Sequence, residues 1–299
     1  RGLGDVYKRQ GDDTLTIEDG TITITQSYEG IESPEIIVNG GNMHVTSSDD
    51  GCNAAGGEVT QTNTSSGNQR MGMMSDSTGT LTINDGYIYV NADGDGLDSN
   101  GALTINGGTV IVEGPTSDGN TAVDYDGTFN INGGVLLASG SAGMVESVGN
   151  SSEQNSVTAY FGNTLSAGTT FAVTDADGNL VVAFTPTKAS ACFIYSSPLL
   201  KTGETYSVLT GGSCSGEAED GLYTDGSYNG GTQVREFTVS SVVTTAGSGG
   251  GMAGGMGGKQ GGPGGNQGNA PAEGETPPTA PDGNGFGGEK QNQSNSSVS

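Results

Sequence analysis

The sequence predicts an all-β chain: a parallel β-helix, a β-rich C-terminal cap and a disordered Gly-rich tail. Three observations carry this. A ten-residue template recurs through the first half, with its central glycines (Gly20, Gly41, Gly86, Gly108, Gly134) spaced by 21, 45, 22 and 26 residues. Apolar residues make up only 31% of the 299 and glycine contributes 56, too little hydrophobe for a sandwich or doubly wound core throughout. A solenoid needs less, because each coil buries a narrow stripe against its neighbours. Finally, no segment has amphipathic helical periodicity, which excludes helical solenoids.

The template copies are Leu15–Ile24, Ile36–Val45, Leu81–Val90, Leu103–Val112 and Phe129–Ala138. Each alternates apolar and polar residues about a glycine, as two short strands joined by a turn should. Stacking them predicts inward columns Leu15, Ile36, Leu81, Leu103, Phe129; then Ile17, Val38, Ile83, Ile105, Ile131; then Ile22, Met43, Ile88, Val110, Leu136. All three are uniformly apolar. The gap of 45 spans two coils, and its surplus, 57–77, lacks the pattern and is expected to be a loop insertion. A leucine-rich repeat has a similar length, but its Leu/Asn signature is missing. A fourth column follows each second strand: Glu29–Glu32, Asp50–Asn53, Asp95–Asp98 and Thr121–Asp124 share one shape, with Ile31, Cys52, Leu97 and Val123 inward. Cys52 is thereby expected to be a core thiol.

The coils are assigned to 11–150. Residues 151–245 lose the template and read as a β-rich cap over the last coil, with strands at Thr170–Thr174, Leu180–Thr185, Cys192–Tyr195, Tyr206–Leu209 and Glu236–Val243. Asp175–Asn179 is a hairpin turn. Cys192 and Cys214 are either a disulfide in an oxidising compartment or two buried thiols. Residues 246–299 are Gly, Asn, Gln, Pro and Ser with almost no aliphatics, and are expected to be disordered. Residues 1–10 read as a non-native scar and are set aside.

Charge narrows the function. There are 34 acidic against nine basic residues, a net of −25, which disfavours nucleic acid and anionic lipid. No apolar run is long enough to span a membrane. Residues 11–150 carry 20 acids and one base, Arg70. On the stacked coils Glu29, Glu32, Asp50, Asp95, Asp98 and Asp124 line one edge. Like charges about 5 Å apart repel by roughly 1–3 kcal/mol per pair. Carboxylates with glycine-turn carbonyls suit Ca²⁺, and the densest groups are Asp49, Asp50 and Asn53, and Asp93, Asp95 and Asp98. The competing reading is solvated turn residues, since Asp and Gly are ordinary turn formers. An EF-hand is excluded because Leu97 stands where a ligand is required, and the nonapeptide of calcium β-rolls is missing.

Catalysis has little to build on. His44 is the only histidine and is expected to be an exposed strand residue, so nucleophilic triads and zinc are disfavoured. A lyase needs a strong base near calcium, and only Arg70, in the insertion, qualifies in 11–150. Sugar rings pack on aromatic faces; with no Trp in the chain, the candidates are Tyr28, Tyr87, Tyr89 and Tyr125. For each the alternative is a β-former on an outer face.

The stretches Glu18–Ile22, Ser27–Glu32, Val38–Gly41, Ser48–Gly57 and Asp93–Gly101, with Ser196–Tyr206 and Thr210–Gly216, resemble a family of secreted, cell-surface, carbohydrate-binding β-helix proteins described mainly from clostridia and similar in shape to pectate lyases. The resemblance covers about 11–245. It implies a right-handed parallel β-helix, bound Ca²⁺, and non-catalytic binding of cellulose or pectic (polygalacturonate) polysaccharide. The turns at 29–32, 50–53 and 95–98 would hold calcium; the fourth departs, with Thr121 and Ala122 replacing acid and glycine. The alternatives are a calcium-dependent pectate lyase and an adhesin whose solenoid is only a stalk.

Overall fold

The computed structural model describes residues 9–10, 14–55 and 79–249. The predicted insertion at 57–77, Arg70 within it, and the tail beyond 249 lie outside the described residues. All regular structure among those described is strand, and no helix among them is long and apolar enough to cross a membrane.

Successive strands go in turn to three sheets. The first holds Arg9–Gln10, Ile31–Glu32, Cys52–Ala54, Leu97–Ser99 and Val123–Tyr125. The second holds Thr14–Ile17, Glu35–Val38, Thr80–Ile83, Ala102–Ile105 and Thr128–Ile131. Thr21–Ile24, Asn42–Ser47, Tyr87–Ala92, Thr109–Glu113 and Val135–Gly140 lie side by side in the third. Pairing is parallel within all three sets. Arg9–Gln10, set aside on sequence, pairs with Ile31–Glu32; backbone pairing at a strand edge asks little of side-chain identity.

The register puts every predicted inward column in line: Leu15, Ile36, Leu81, Leu103 and Phe129 pair in succession, as do Ile22, Met43, Ile88, Val110 and Leu136. Cys52 lies between Ile31 and Leu97 and is buried. Two glycine positions set the stacking distance. Gly108 has φ +79, and a Cβ there would meet the Gly86 carbonyl oxygen at 2.5 Å. Gly51 is needed for closeness: a Cβ would lie 2.2 Å from Val90 Cγ1 and 2.5 Å from Gly96 O. The acid-Gly-apolar-acid motif is thus a packing motif as much as a chemical one.

Outside the second sheet runs an asparagine ladder that the sequence reading passed over. Asn132 Nδ2 donates to Asn106 Oδ1, Asn106 to Asn84, and Asn84 to Asn39, each at 2.8 Å; Asn39 donates to Glu18 Oε2 at 3.0 Å. All five occupy the fourth template position.

Past residue 150 the pairing turns mainly antiparallel. Ser190–Ser196 pairs with Val135–Gly140 and with Ser156–Leu165, and Val243–Ala246 lies alongside the latter. A separate antiparallel sheet runs Leu222–Tyr223, Leu180–Phe184, Phe171–Asp175, Thr205–Thr210, Thr232–Thr238. The expected strand at Glu236–Val243 is two strands, Thr232–Thr238 and Val243–Ala246, because Val239 turns aside to donate its N–H to Glu204 O. The hairpin turn is as read: Asp175 N–H donates to Asn179 O at 3.0 Å, with Gly178 at φ +83. Phe161, Phe171, Phe184 and Phe193 build a second core that also takes in Ile111 and Leu137 from the outer face of the third sheet.

Candidate functional site

The acidic edge is the outer face of the first sheet and the turns feeding it. Register places Glu32, Asn53, Asp98 and Asp124 side by side on consecutive strands, at the ~4.8 Å interstrand spacing. The turns form a second, staircase column. Asp50 Oδ1 accepts from the Asp95 N–H at 2.8 Å, and Asp95 Oδ1 accepts from the Thr121 N–H at 2.6 Å. Each carboxylate therefore caps the next coil's turn. The fourth turn keeps a donor, Thr121, but has no carboxylate at its first position, and the Cβ of Ala122 fits because Gly114 faces it.

Burial and mutual repulsion raise these acids. The Asp98 carboxyl is pushed up to about 7, first by burial and then by Asp50 and Asp124. Asp95 rises to about 6, again chiefly by burial. Asp50 and Asp124 move in the same direction for the same leading reason. Glu146 joins them from the loop after the last template copy, pushed up to about 7 by burial and by Asp124. It lies beyond the repeats, where no pattern marked it.

Two buried oxygens on this edge have no hydrogen-bond partner: Asn53 Oδ1 and Glu146 Oε2. Asn53 is 8% exposed, with its amide nitrogen 3.3 Å from Asp50 Oδ2. Its unpartnered carbonyl oxygen and the neighbouring carboxylates are hard donors, the chemistry that Ca²⁺ selects. Among the described residues, no three His, Cys, Asp or Glu side chains converge as a finished metal centre.

The remaining predicted residues separate. Asp49 neighbours Tyr28, which is 60% exposed at this edge and whose hydroxyl the Asp49 carboxylate raises. Glu29 belongs to the first turn. Asp93 points away and lies 3.6 Å from Lys188 Nζ. Tyr125 is half-buried against Phe129, its hydroxyl donating to Ser147 O at 2.6 Å. Tyr87 and Tyr89 stand on another face, the outside of the third sheet, beneath C-terminal segments. Tyr87 donates to Asp220 Oδ2 at 2.7 Å and Tyr89 to Glu113 Oε1 at 2.8 Å. His44 is half-buried rather than exposed, with Nε2 2.8 Å from the same Asp220 oxygen.

Lys188 is the cation that sequence did not place. It arrives from the C-terminal half, with Nζ donating to Ala92 O at 2.5 Å, and burial lowers its pKa. The adjoining Thr187 and Lys188 N–H groups donate to Glu113, which is 1% exposed and takes four hydrogen bonds. All three cysteines are free: Cys52 and Cys192 are buried, and Cys214 is partly exposed. Comparison with protein-family models, curated proteins and solved structures finds no match to this chain.

Proposed function

We propose that this protein is a non-catalytic carbohydrate-binding protein of the secreted or cell-surface kind, built as a right-handed parallel β-helix. Three parallel sets of five strands, each taking every third strand and the last extended by C-terminal strands into an eight-stranded sheet, support the architecture. Calcium held along the acidic edge would join the coils and bridge the carboxylates of an acidic, polygalacturonate-type polysaccharide to an acidic protein. Cellulose-type chains are the neutral alternative, with Tyr28 as the exposed ring.

The observation that carries the reading is the stack of raised carboxyls at Asp95, Asp98 and Glu146 beside two unpartnered buried oxygens. An apolar or cationic side chain would relieve that repulsion, yet Lys188 reaches only Asp93. A divalent cation supplies both missing charge and missing partners. Asp50, Asn53, Asp95, Asp98, Asp124 and Glu146 are the residues that would hold it. Titration calorimetry with polygalacturonate and cellulose oligomers, with calcium and with EDTA, tests the proposal. Binding to polygalacturonate that disappears in EDTA is expected; equal binding in both, or none to either glycan, refutes it.

One observation favours a second reading, a calcium-dependent pectate lyase. Lys188, with its pKa lowered by burial, is a base candidate beside Asp93 in place of Arg70. Growth of the unsaturated-uronide absorbance, abolished by Lys188→Ala, would decide for it. A stalk with no glycan partner is the outcome if neither assay responds.

A further inference from the structure

We propose a second, calcium-independent sugar site, sized for one pyranose ring, at the bulge between Tyr160 and Leu165. Strand Ser156–Leu165 pairs regularly with Ser190–Ser196 as far as Tyr160, then loses register until Leu165 meets Ser190. Bulges re-aim side chains, and here Gly162, Asn163 and Thr164 are exposed. They border a pocket of about 180 Å³ whose other walls include Asp118, Tyr160, Ser248 and Gly249.

The walls meet closely at glycines. Gly162 (φ +90) and Gly247 (φ +86) bracket Arg235, where a Cβ would lie 2.7 Å from Nη2 and 2.5 Å from Nε respectively. The guanidinium also donates from Nη1 to its neighbour Val234 O at 2.9 Å, and it occupies the space beside both glycines. Asp118 lies close to the backbone of Gly143, where a Cβ would be 2.3 Å from Asp118 Cβ. Gly249 lies against the Tyr160 ring, with 2.9 Å from its Cβ position to Cε1.

The chemistry selects a polyol. One carboxylate accepts from adjacent hydroxyls, an amide both gives and accepts, and two hydroxyls adapt to either role. The Tyr160 ring offers an edge to C–H groups. An anion is disfavoured by Asp118, and the donors suit hydroxyl groups better than a bare cation. Drug-sized ligands occupy roughly 300–1,000 Å³, so this pocket admits a single ring, as a chain end or branch would present. None of the named residues belongs to the acidic edge. Only the ligand class rests on the carbohydrate-binding reading.

The test is a nitrogen-15 NMR titration of the full chain, in EDTA, with methyl β-glucopyranoside and methyl β-galactopyranoside. Expected are saturable millimolar shifts of the Asn163 side-chain amide and of the backbone at 160–164 and 248–249. Asp118→Asn and Asn163→Ala, both on exposed residues, should each weaken binding about tenfold with unchanged melting. No saturable shift with either glycoside, or wild-type affinity in both variants, overturns the proposal. Because calcium is excluded, failure here leaves calcium-dependent polygalacturonate binding untouched, and the reverse holds.

Discussion

Replacing Asp98 by Asn should stabilise the calcium-free protein at alkaline pH. The carboxyl rises from 3.8 to about 7 in the fold, mainly by burial. A raised carboxyl favours the protonated folded state, so its contribution is fully present below about pH 4 and is lost as pH rises through about 7. Each tenfold change in proton affinity is worth ~1.4 kcal/mol, which bounds the loss at about 4 kcal/mol. Asp98 is part-exposed, and solvent screening reduces this to roughly 1–2 kcal/mol. Asparagine keeps the shape without the charge. In EDTA near pH 8, Asp98→Asn should therefore melt about 4 °C above wild type, and near pH 4 the two should coincide. With calcium the order should invert, since the variant gives up a ligand. Thermal melts by circular dichroism, across pH with and without calcium, read all of this. A variant that melts at or below wild type in EDTA near pH 8 refutes the electrostatic argument, whatever calcium then does.

Three further outcomes follow from the packing. Asn106→Ala removes a donor and an acceptor from the ladder and should cost about 1–2 kcal/mol in urea unfolding, while Asn132→Ala, which only donates, should cost roughly half as much. Glu113→Gln puts an amide among four donors and should destabilise by about 2–4 kcal/mol, with faster hydrogen exchange at Thr187 and Lys188. Gly51→Ala drives a methyl into Val90 and the Gly96 carbonyl and should lower stability by about 1–3 kcal/mol; a wild-type melting temperature would mean that the coils are less tightly stacked than described.

The repeat made the parallel sheets legible because their register is periodic in sequence: Leu81, Leu103 and Phe129 pair in succession, as their shared template position requires. The ladder was equally legible, since Asn39, Asn84, Asn106 and Asn132 share one template position, but attention to apolar columns hid it. A further sign lies in Thr109–Val112 and Val135–Ala138, where runs of three and four consecutive apolar residues break the alternation. Ile111 and Leu137 face outward there and are buried by the C-terminal sheet. What no spacing encodes is the docking of single side chains across long separations. Asp220 meeting His44 and Tyr87, Lys188 reaching Asp93, and Glu146 joining Asp124 depend on how the non-repeating half folds back. Tyr87 and Tyr89, sugar-packing candidates on sequence, accordingly have hydroxyls that bind Asp220 and Glu113 on another face.

The two polar columns of these parallel sheets act as each other's control. At the same interstrand spacing, the corner after the second sheet carries amides and the first sheet carries carboxylates. Stacked asparagines complete each other, the Nδ2 of Asn84, Asn106 and Asn132 each finding the Oδ1 of its neighbour. Stacked aspartates cannot, because an ionised carboxylate has no donor to offer. A chain that only needed to hold its coils together had the better solution in hand and used it one corner away. Asp98 and Asp124, paired directly in register, are costly as structure and have no donor between them. Their repulsion makes chemical sense when something positive binds. That contrast within one molecule, more than the count of acids, is the argument for a cation at the edge.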